Sequence, residues 1–488
     1  MEQRPARILP VIIASQFAGT SLWFAGNAVL GDVQRAWGLA PEVLGYVTSA
    51  VQLGFIGGTL MFALLSVADR ISPRLVFLLC SIAGAAANLG ALAADSRLAL
   101  LLASRFATGF FLAGIYPVGM KIASGWYGKG LGNALGLLVG ALVLGTAFPH
   151  LLKGLGQSWP WEFVLVGVSL VAALGGLLMF LLVPDGPNLA KGGKFDSRIL
   201  ITIFGSKGFR ASAFGYFGHM WELYAFWAFV PVVLAARAPE HNASVWSFVV
   251  IAAGALGCAG GGLISLRAGS ARVAYAQLAA SGACCLVSPV LLMAPPAAVL
   301  AFLIFWGVAV VGDSPQFSAL NAANAPRESI GSALTIGNCI GFAITIGSIQ
   351  LLNAVSGTVP VEYLFLLLAP GPALGLLALR PLLRGAEDSS SRRRPPGPER
   401  PLDLRGQRRG GEGQENPDRV GDLAGDLLEG RPLPVEEEQE DERRGDDVRR
   451  ADACLAGLLP ESKCDGKGEE DEEEDQSALG GGSHGGPC

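Results

Sequence analysis

The chain has 488 residues, of which 51% are hydrophobic and only 16% are charged, whereas soluble domains carry about 25% charged residues. This composition excludes a single soluble globule. Residues 1–384 hold 21 Lys and Arg against 13 Asp and Glu, residues 385–488 hold 15 against 28, and all 40 aromatic residues lie in the first part. The sequence therefore combines a basic, apolar body with an acidic tail.

The body contains twelve apolar runs that could cross a membrane as helices, since a spanning helix needs about 20 largely apolar residues. Their predicted bounds are residues 9–30, 44–66, 74–94, 98–121, 130–152, 161–183, 211–234, 244–265, 272–294, 296–320, 329–353 and 362–380. Backbone groups in lipid must bond within their own segment, which favours helices. The short alternating runs typical of a membrane β-barrel are absent from the sequence. The prediction is an all-α integral membrane protein of 12 transmembrane helices.

The placement of Lys and Arg predicts the orientation of these helices. If the N-terminus is cytoplasmic, the inside loops hold sixteen basic residues and the outside loops four. We therefore expect a multi-pass protein of the plasma (inner) membrane with both termini in the cytoplasm. A cleaved signal peptide, with Arg4 and Arg7 as its basic region, is the alternative for the first run, although that run is long and lacks a clear cleavage site.

The longest inside loop divides the body into two sets of six helices. The predicted units are residues 1–183 and 211–384 as six-helix bundles, 184–210 as a cytoplasmic linker, and 385–488 as a disordered charged tail. Three short segments recur at offsets of 197 to 199 residues: 69–72 with 266–269, 114–117 with 312–315, and 131–135 with 330–334. They suggest an internal duplication, which is typical of secondary transporters.

The six-plus-six arrangement resembles the major facilitator superfamily, and two motifs strengthen the resemblance. In that family the loop after the second helix reads Gly-x-x-x-Asp-Arg/Lys-x-Gly-Arg-Arg/Lys, and residues 65–74 read LSVADRISPR. Asp69, Arg70 and Arg74 match this pattern, and both glycines do not. In the fourth helix, Leu101, Arg105 and Gly109 match a family pattern Leu-x-x-x-Arg-x-x-Gln-Gly. The resemblance implies alternating access, with helices one, four, seven and ten around the cavity.

Within the superfamily the chain is most similar to bacterial carriers grouped near the nitrate and nitrite porters. The similarity lies in LWFAGN at 22–27, GHMWELYAFW at 218–227 and DSPQFSAL at 313–320. Those porters hold their anion with Arg in helices two and eight. The corresponding runs 44–66 and 244–265 contain no Arg or Lys, which argues against nitrate as the solute.

Charged residues inside a membrane are costly and usually face a cavity or a partner. His219 and Glu222 are three residues apart on the seventh helix, share a face and lie near the bilayer middle. An imidazole and a carboxyl group at that depth can switch between charged and neutral forms, which indicates proton coupling. A helix-packing pair that never titrates is the alternative interpretation.

Asp313 on the tenth helix precedes Pro315, which predicts a kink there, and Gln316 lies one turn on. Both are candidates for solute binding, and a structural role at a broken helix is the alternative. Arg105 on the fourth helix could bind an anion, pair with a carboxylate, or bond backbone carbonyl groups. By family resemblance, the matching Arg is tied to proton coupling.

Four further residues complete the candidate solute site. Trp23 and Asn27 lie on the first helix, Tyr224 on the seventh and Asn338 on the eleventh. Lipid or helix packing is the alternative for the aromatic residues. The resemblance also implies that Asp69, Arg70 and Arg74 form a gating latch at the inner mouth; positive-inside anchoring is the alternative for the two arginines.

No cofactor, metal or nucleic-acid motif is visible, and no nucleophile–base pattern indicates an enzyme. The tail could be a regulatory segment or a non-native extension of a GC-rich gene. We therefore predict a secondary active transporter of a small polar or anionic solute, working in the lipid bilayer and coupled to protons or another ion, with import favoured. The alternatives are an efflux carrier of the same fold and a transporter-like membrane sensor that moves nothing.

Overall fold

The computed structural model describes residues 5–127, 131–156, 158–189, 203–326 and 330–392. Within them, twelve helical spans are long and apolar enough to cross a membrane, here termed α1 to α12. In chain order they are Ile8–Trp37, Val43–Leu64, Pro73–Ala93, Leu98–Trp126, Ala134–Leu155, Trp161–Leu182, Lys207–Arg237, Ala243–Ala268, Ser270–Leu291, Pro296–Asn324, Ile330–Val355 and Val361–Leu383. No strand occurs in these residues. The predicted all-α class with twelve spans is confirmed.

The spans agree with the hydropathy pattern except where helices continue into polar turns. The first span runs to Trp37 rather than to residue 30, because Asp32 and Arg35 pair on the same helix and Gly38, at φ 65°, provides the left-handed cap that ends it. The seventh span starts at Lys207 rather than at 211, where the hydroxyl of Ser206 accepts a hydrogen bond from the Phe209 amide. Residues 190–202 of the predicted linker and the tail beyond Arg392 lie outside the described residues.

Three of the spans contain breaks. The first is divided into Ile8–Thr20 and Ala25–Trp37, the fourth into Leu98–Leu112 and Tyr116–Trp126, and the tenth into Pro296–Gly312 and Ser314–Asn324. Pro117 and Pro315 are each the second residue of the helix that follows the break, where proline is tolerated because no intrahelical donor is lost. The twelfth span begins as a 3₁₀ segment, Val361–Leu368, and continues as Pro370–Arg392.

The helices pack mainly within the two sets of six, α1–α6 and α7–α12, called here the first and second halves. Between the halves, the most extensive packing joins α2 to α11 and α5 to α8. Successive spans alternate in direction, so the start of α1 and the end of α12 lie on one side. We call this the terminal side, and the opposite side the far side.

Candidate functional site

The break in α1 lies at the centre of the first half. The hydroxyl groups of Thr20 and Ser21 donate hydrogen bonds to carbonyl groups of the preceding turn, at 2.7 and 2.6 Å. Such bonds back to the helix bend it. Leu22 and Trp23 follow in the break, with their carbonyl oxygens turned toward α4.

Arg105 of α4 binds this break. Its Nη2 donates to the carbonyl oxygens of Leu22 and Trp23, at 3.0 and 2.9 Å, and its Nη1 donates to Asn88 Oδ1 at 2.6 Å. The side chain is completely buried, and Gly26 leaves the space beside its guanidinium. Within the described residues no carboxylate lies within ion-pair distance of it. Bonding to backbone carbonyl groups, one of the roles considered from the sequence, is thus observed, while Arg105 Nε has no partner among the described residues; solute binding by Arg105 stays a prediction.

Four aromatic rings meet where the two halves join, and we call them the aromatic layer. The Trp23 ring lies 4.9 Å from Phe55, 5.7 Å from Tyr224 and 5.5 Å from Phe342, measured between ring centroids. All four side chains are buried. Two come from α1 and α2 and two from α7 and α11, so the layer closes the middle of the molecule between the halves.

A cavity of about 30 Å³ lies on the terminal side of this layer, between α4 and α5 of the first half and α7, α10 and α11 of the second. Its aromatic lining comprises Tyr116, Tyr216, Tyr224, Trp227 and Phe342. Its polar lining comprises Ser314, Ser318 and Asn338, and the remainder is aliphatic or Met. Tyr224 and Asn338, two of the residues predicted as solute contacts, line the cavity, and their binding of a solute stays a prediction. The volume suits roughly two water molecules, so a solute requires the halves to separate further.

His219 of α7 lies against Asp313 at the break in α10. Its Nδ1 is 2.9 Å from Asp313 Oδ1, and both side chains are 1% exposed. Neither oxygen of Asp313 receives a well-directed hydrogen bond from the described residues, so the two groups are in close contact without a straight hydrogen bond, and the contact is an ion pair only when the imidazole is protonated. The sequence grouped His219 with Glu222, whereas the structure joins it to a residue 94 positions further along the chain. Gln316 is buried one turn beyond Asp313.

Glu222 points to a different set of partners inside the second half. Its Oε1 accepts hydrogen bonds from Trp306 Nε1 at 2.8 Å, from Ser281 Oγ at 2.5 Å and from Cys285 Sγ at 3.4 Å. Trp306 lies on the segment of α10 that ends just before Asp313, so Glu222 contacts the same helix that carries Asp313. These three donors cannot be predicted from the sequence, because a Ser, a Cys and a Trp in apolar helices carry no signal of their own.

Two side-chain amides and one indole near the aromatic layer have atoms without a hydrogen-bond partner among the described residues. Asn27 donates from Nδ2 to Thr48 Oγ1 at 2.7 Å, but its Oδ1 has no partner among the described residues. Both amide atoms of Gln52 are also unpaired there, as is Trp23 Nε1, and the Gln52 side chain is completely buried. Gln52 is one turn from Thr48 and was not singled out from the sequence.

The predicted gating residues lie on the terminal side, within the first half. Asp69 forms an ion pair with Lys121 at the end of α4. Arg74 Nε lies 4.0 Å from Asp185 Oδ2, and its guanidinium packs over the Phe180 ring. Arg70 is exposed. These contacts tie the loop after α2 to α4 and to the residues that follow α6.

Cross-half hydrogen bonds close the far side. Asn353 of α11 donates to the Glu42 carbonyl at 2.9 Å and accepts from the Gly45 amide at 3.1 Å. Gln350, one turn earlier, donates to Ser49 Oγ at 2.8 Å. We call these contacts the far-side latch. Their positions at the start of α2 and the end of α11 place them on the far side of the aromatic layer.

A second cross-half contact strengthens the far side. Asn242 caps α8 by accepting from the amides of Ser244 and Val245, both at 3.1 Å. Its Nδ2 donates to the Gly154 carbonyl at the end of α5, at 2.9 Å. The far side is therefore closed while the small cavity lies toward the terminal side. No group of metal-binding side chains occurs in the described residues.

Comparisons with known proteins agree with this architecture. A family model described as Major Facilitator Superfamily matches residues 11–349. Solved structures with the same fold include the human organic anion transporter MFSD10 (15% identity, TM-score 0.57, 77% of this chain and 100% of that one). They also include the nucleoside transporter NupG (14%, 0.59, 77% and 99%) and the E. coli fucose:proton symporter FucP (17%, 0.53, 76% and 97%).

These identities are low enough to show the fold alone, and no curated protein sequence matches the chain. The resemblance to nitrate and nitrite porters is not confirmed and stays a prediction. The family match covers more than half of the chain and includes the helices that form the aromatic layer and the cavity. The chain therefore belongs to the Major Facilitator Superfamily and has the fold of its transporters.

Proposed function

We propose that the protein is a secondary active transporter that moves a small solute by alternating access and couples this movement to protons. The observation that carries the proposal is the buried pair of His219 and Asp313. Their sequence neighbours Met220 and Ser314 line the cavity between the halves. Ionisable groups inside a membrane protein typically mark ion pathways.

Protons act in this scheme by changing the charge of the buried groups. When Asp313 takes up a proton, its attraction to His219 weakens, and the segment of α10 after the break is released from α7. Three donors point at Glu222 Oε1. A charged carboxylate holds such donors more strongly than a neutral carboxyl group does, so uptake of a proton there weakens the contact between α7 and α10 as well. His219 and Glu222 are thus the proposed coupling residues, with Asp313 as the partner of His219.

In this proposal, the form with a closed far side is the starting point of alternating access. Opening there requires the far-side latch to break and the rings of the aromatic layer to part, while the cavity on the terminal side closes. We assign the solute site to the surfaces that this movement uncovers, with Trp23, Asn27, Tyr224 and Asn338 as contacts. Asp313 and Gln316 are buried next to the cavity without lining it. Arg105 stabilises the break in α1 through its bonds to two carbonyl groups there.

The terminal side is proposed to be cytoplasmic, and the membrane to be the plasma (inner) membrane. Asp69, Arg70 and Arg74 would then stabilise the inner mouth. Import driven by protons is the proposed direction. Efflux by the same fold, and a sensor that binds a solute without moving it, are the alternatives that experiment separates.

Proteoliposomes containing the full chain test this proposal. A mixed library of small polar metabolites is offered outside, and accumulated compounds are quantified by mass spectrometry with and without a pH gradient. We expect one compound class to accumulate only with the gradient. Glu222→Gln and Asp313→Asn should lower this accumulation about tenfold or more, because an amide cannot take up and release a proton as a carboxyl group does. The side-chain oxygen of Gln at position 222 would still accept hydrogen bonds from Trp306 and Ser281.

Glu162→Gln, at the start of α6, is the matched control and should leave accumulation unchanged. If Glu222→Gln keeps gradient-driven accumulation, Glu222 does not couple protons. If solutes bind and none accumulates under any gradient, the protein is a sensor rather than a transporter.

A further inference from the structure

The lining of the cavity carries no formal charge. Five of its side chains are aromatic, and its polar groups are hydroxyls and one amide. Tyr216 donates from its hydroxyl to Asn338 Oδ1 at 3.2 Å, which orients that amide at the wall. Such a surface binds by stacking and by neutral hydrogen bonds rather than by charge.

The charged groups near the cavity are directed elsewhere. Two nitrogens of the Arg105 guanidinium donate to Asn88 and to the carbonyl groups of the α1 break, its Nε has no partner among the described residues, and the side chain does not line this cavity. Asp313 faces His219, and Glu222 faces its donors inside the second half. An anion would find no cation in this wall, and a cation would find no carboxylate.

The unpaired amides on the other side of Trp23 supply the same neutral chemistry. Gln52 lies three residues from Ser49, which contacts Gln350, and three from Phe55, which packs on Phe342. It therefore lies on the face of α2 that meets α11. Because buried polar atoms normally have partners, its two unpaired amide atoms point to a ligand that binds when the halves separate on the far side.

We propose that the solute is a neutral ring compound carrying hydroxyl groups, which stacks on the aromatic layer, binds Asn338 from the terminal side, and binds Gln52 when the far side is open. This inference rests on the transport function proposed above and names its solute class. A sugar and a nucleoside share this chemistry. The side chain of Gln52 offers a donor group, its NH₂, beside an acceptor group, its carbonyl oxygen, which suits a pair of neighbouring hydroxyl groups.

Four probes test the class on the purified full chain: D-glucose, uridine, nitrate and choline. Binding is measured as a rise in thermal unfolding temperature and as a change in Trp fluorescence, since Trp23 and Trp227 lie at the site. We expect glucose or uridine to bind and the two ions not to. Binding by uridine alone indicates that a planar base is required, and binding by both indicates that the sugar ring suffices.

Variants of buried glutamines test the residue assignment. Gln52→Leu should weaken binding of the neutral probe at least tenfold without lowering thermal stability. Gln16→Leu is the matched control, because Gln16 is equally buried with both amide atoms unpaired but packs beside Gly119 within the first half. If Gln52→Leu does not fold, Gln52→Asn replaces it, with the same expected weakening.

The results of these experiments test the solute class, the role of Gln52 and the proposed transport function separately. Binding of nitrate or choline, or no binding by glucose and uridine at millimolar concentrations, overturns the solute class. Equal weakening by Gln16→Leu, or none by Gln52→Leu, overturns the assignment of Gln52. A neutral probe that binds but never accumulates in proteoliposomes supports the solute class and contradicts transport.

Discussion

Arg105 shows how a buried charge can be held without a counter-ion. The break in α1 turns two carbonyl oxygens toward it, and Asn88 supplies a third acceptor. Hydrogen bonds to a charged group are stronger than neutral ones, at about 1.5–3 kcal/mol each. In turn, the guanidinium satisfies carbonyl groups that lie outside regular helix. The charge therefore stabilises the irregular segment that presents Trp23 to the aromatic layer.

We consequently expect substitution of Arg105 to act mainly by lowering the stability of the fold. We expect Arg105→Ala to reduce the free energy of unfolding by roughly 3 kcal/mol or more, because three acceptors lose their donor. Arg105→Lys should lie between Ala and the unsubstituted protein, since an ammonium group cannot span both directions. A thiol-reactive dye reports unfolding, because Cys80, Cys258, Cys284 and Cys285 are buried.

Arg35→Ala is the control, because Arg35 is exposed and its pair with Asp32 lies on the surface; a change of at most about 1 kcal/mol is expected. Unchanged stability in Arg105→Lys, together with lost solute binding, would show instead that Arg105 belongs to the solute site.

At the scale of elements, the internal duplication is visible in the helices. The breaks in α4 and α10 precede Tyr116-Pro117 and Ser314-Pro315, at the offset of 198 residues found in the sequence. Gly109 and Gly307 have the same offset, and each lets its helix contact a backbone carbonyl of a neighbour, on α2 and α8 respectively. The pair α1 and α7 departs from this symmetry, since α1 is broken and α7 is continuous.

A glycine pair on α8 tests this close packing. A Cβ on Gly257 would meet the Val308 carbonyl of α10, whereas a Cβ on Gly260 would meet no neighbour. We expect Gly257→Ala to lower the free energy of unfolding by about 1–3 kcal/mol, because backbone cannot yield as a side chain can. Gly260→Ala should be neutral or stabilising by up to about 1 kcal/mol, since Ala favours helix. Equal effects in the two variants would contradict the contact.

The same elements show what could be predicted from the sequence. Spans are predictable because lipid imposes length and apolarity on each helix separately, and Pro315 predicts the break in α10. The break at residues 21–24 escapes prediction, since it arises from hydroxyl groups bonding back to their own helix. The partner of His219 escapes it too, because Asp313 comes near only through packing of α7 against α10.

At the scale of the whole molecule, two kinds of contact hold the halves together on the far side. The aromatic layer contributes apolar packing near the middle, and the far-side latch contributes directed hydrogen bonds nearer the surface. Packed rings tolerate small shifts, whereas hydrogen bonds require correct positions. In the proposed transport cycle, we therefore expect the latch to control opening of the far side and the layer to contact the solute once it opens.

Asn353 carries two of the bonds of this latch, so its removal should favour opening. At about 1 kcal/mol for each bond, Asn353→Ala should shift the balance by about 2 kcal/mol, or roughly thirtyfold toward the far-side-open form. Distances between spin labels on exposed Glu42 and Thr358, measured by pulsed electron paramagnetic resonance in a cysteine-free background, should gain a longer component. The label at Glu42 leaves the bond intact, because only the backbone carbonyl of that residue accepts it.

Ser356→Ala, directly after the end of α11, is the matched control, since among the described residues the Ser356 hydroxyl bonds only to the Asn353 carbonyl at the end of α11. Its distance distribution should equal that of the labelled protein without further substitution. The same long component in both variants would mean that any change at this end of α11 loosens it. An unchanged distribution in Asn353→Ala would mean that the contacts left in place, which are the aromatic layer, the Gln350–Ser49 bond and the Asn242–Gly154 bond, keep the far side closed without Asn353.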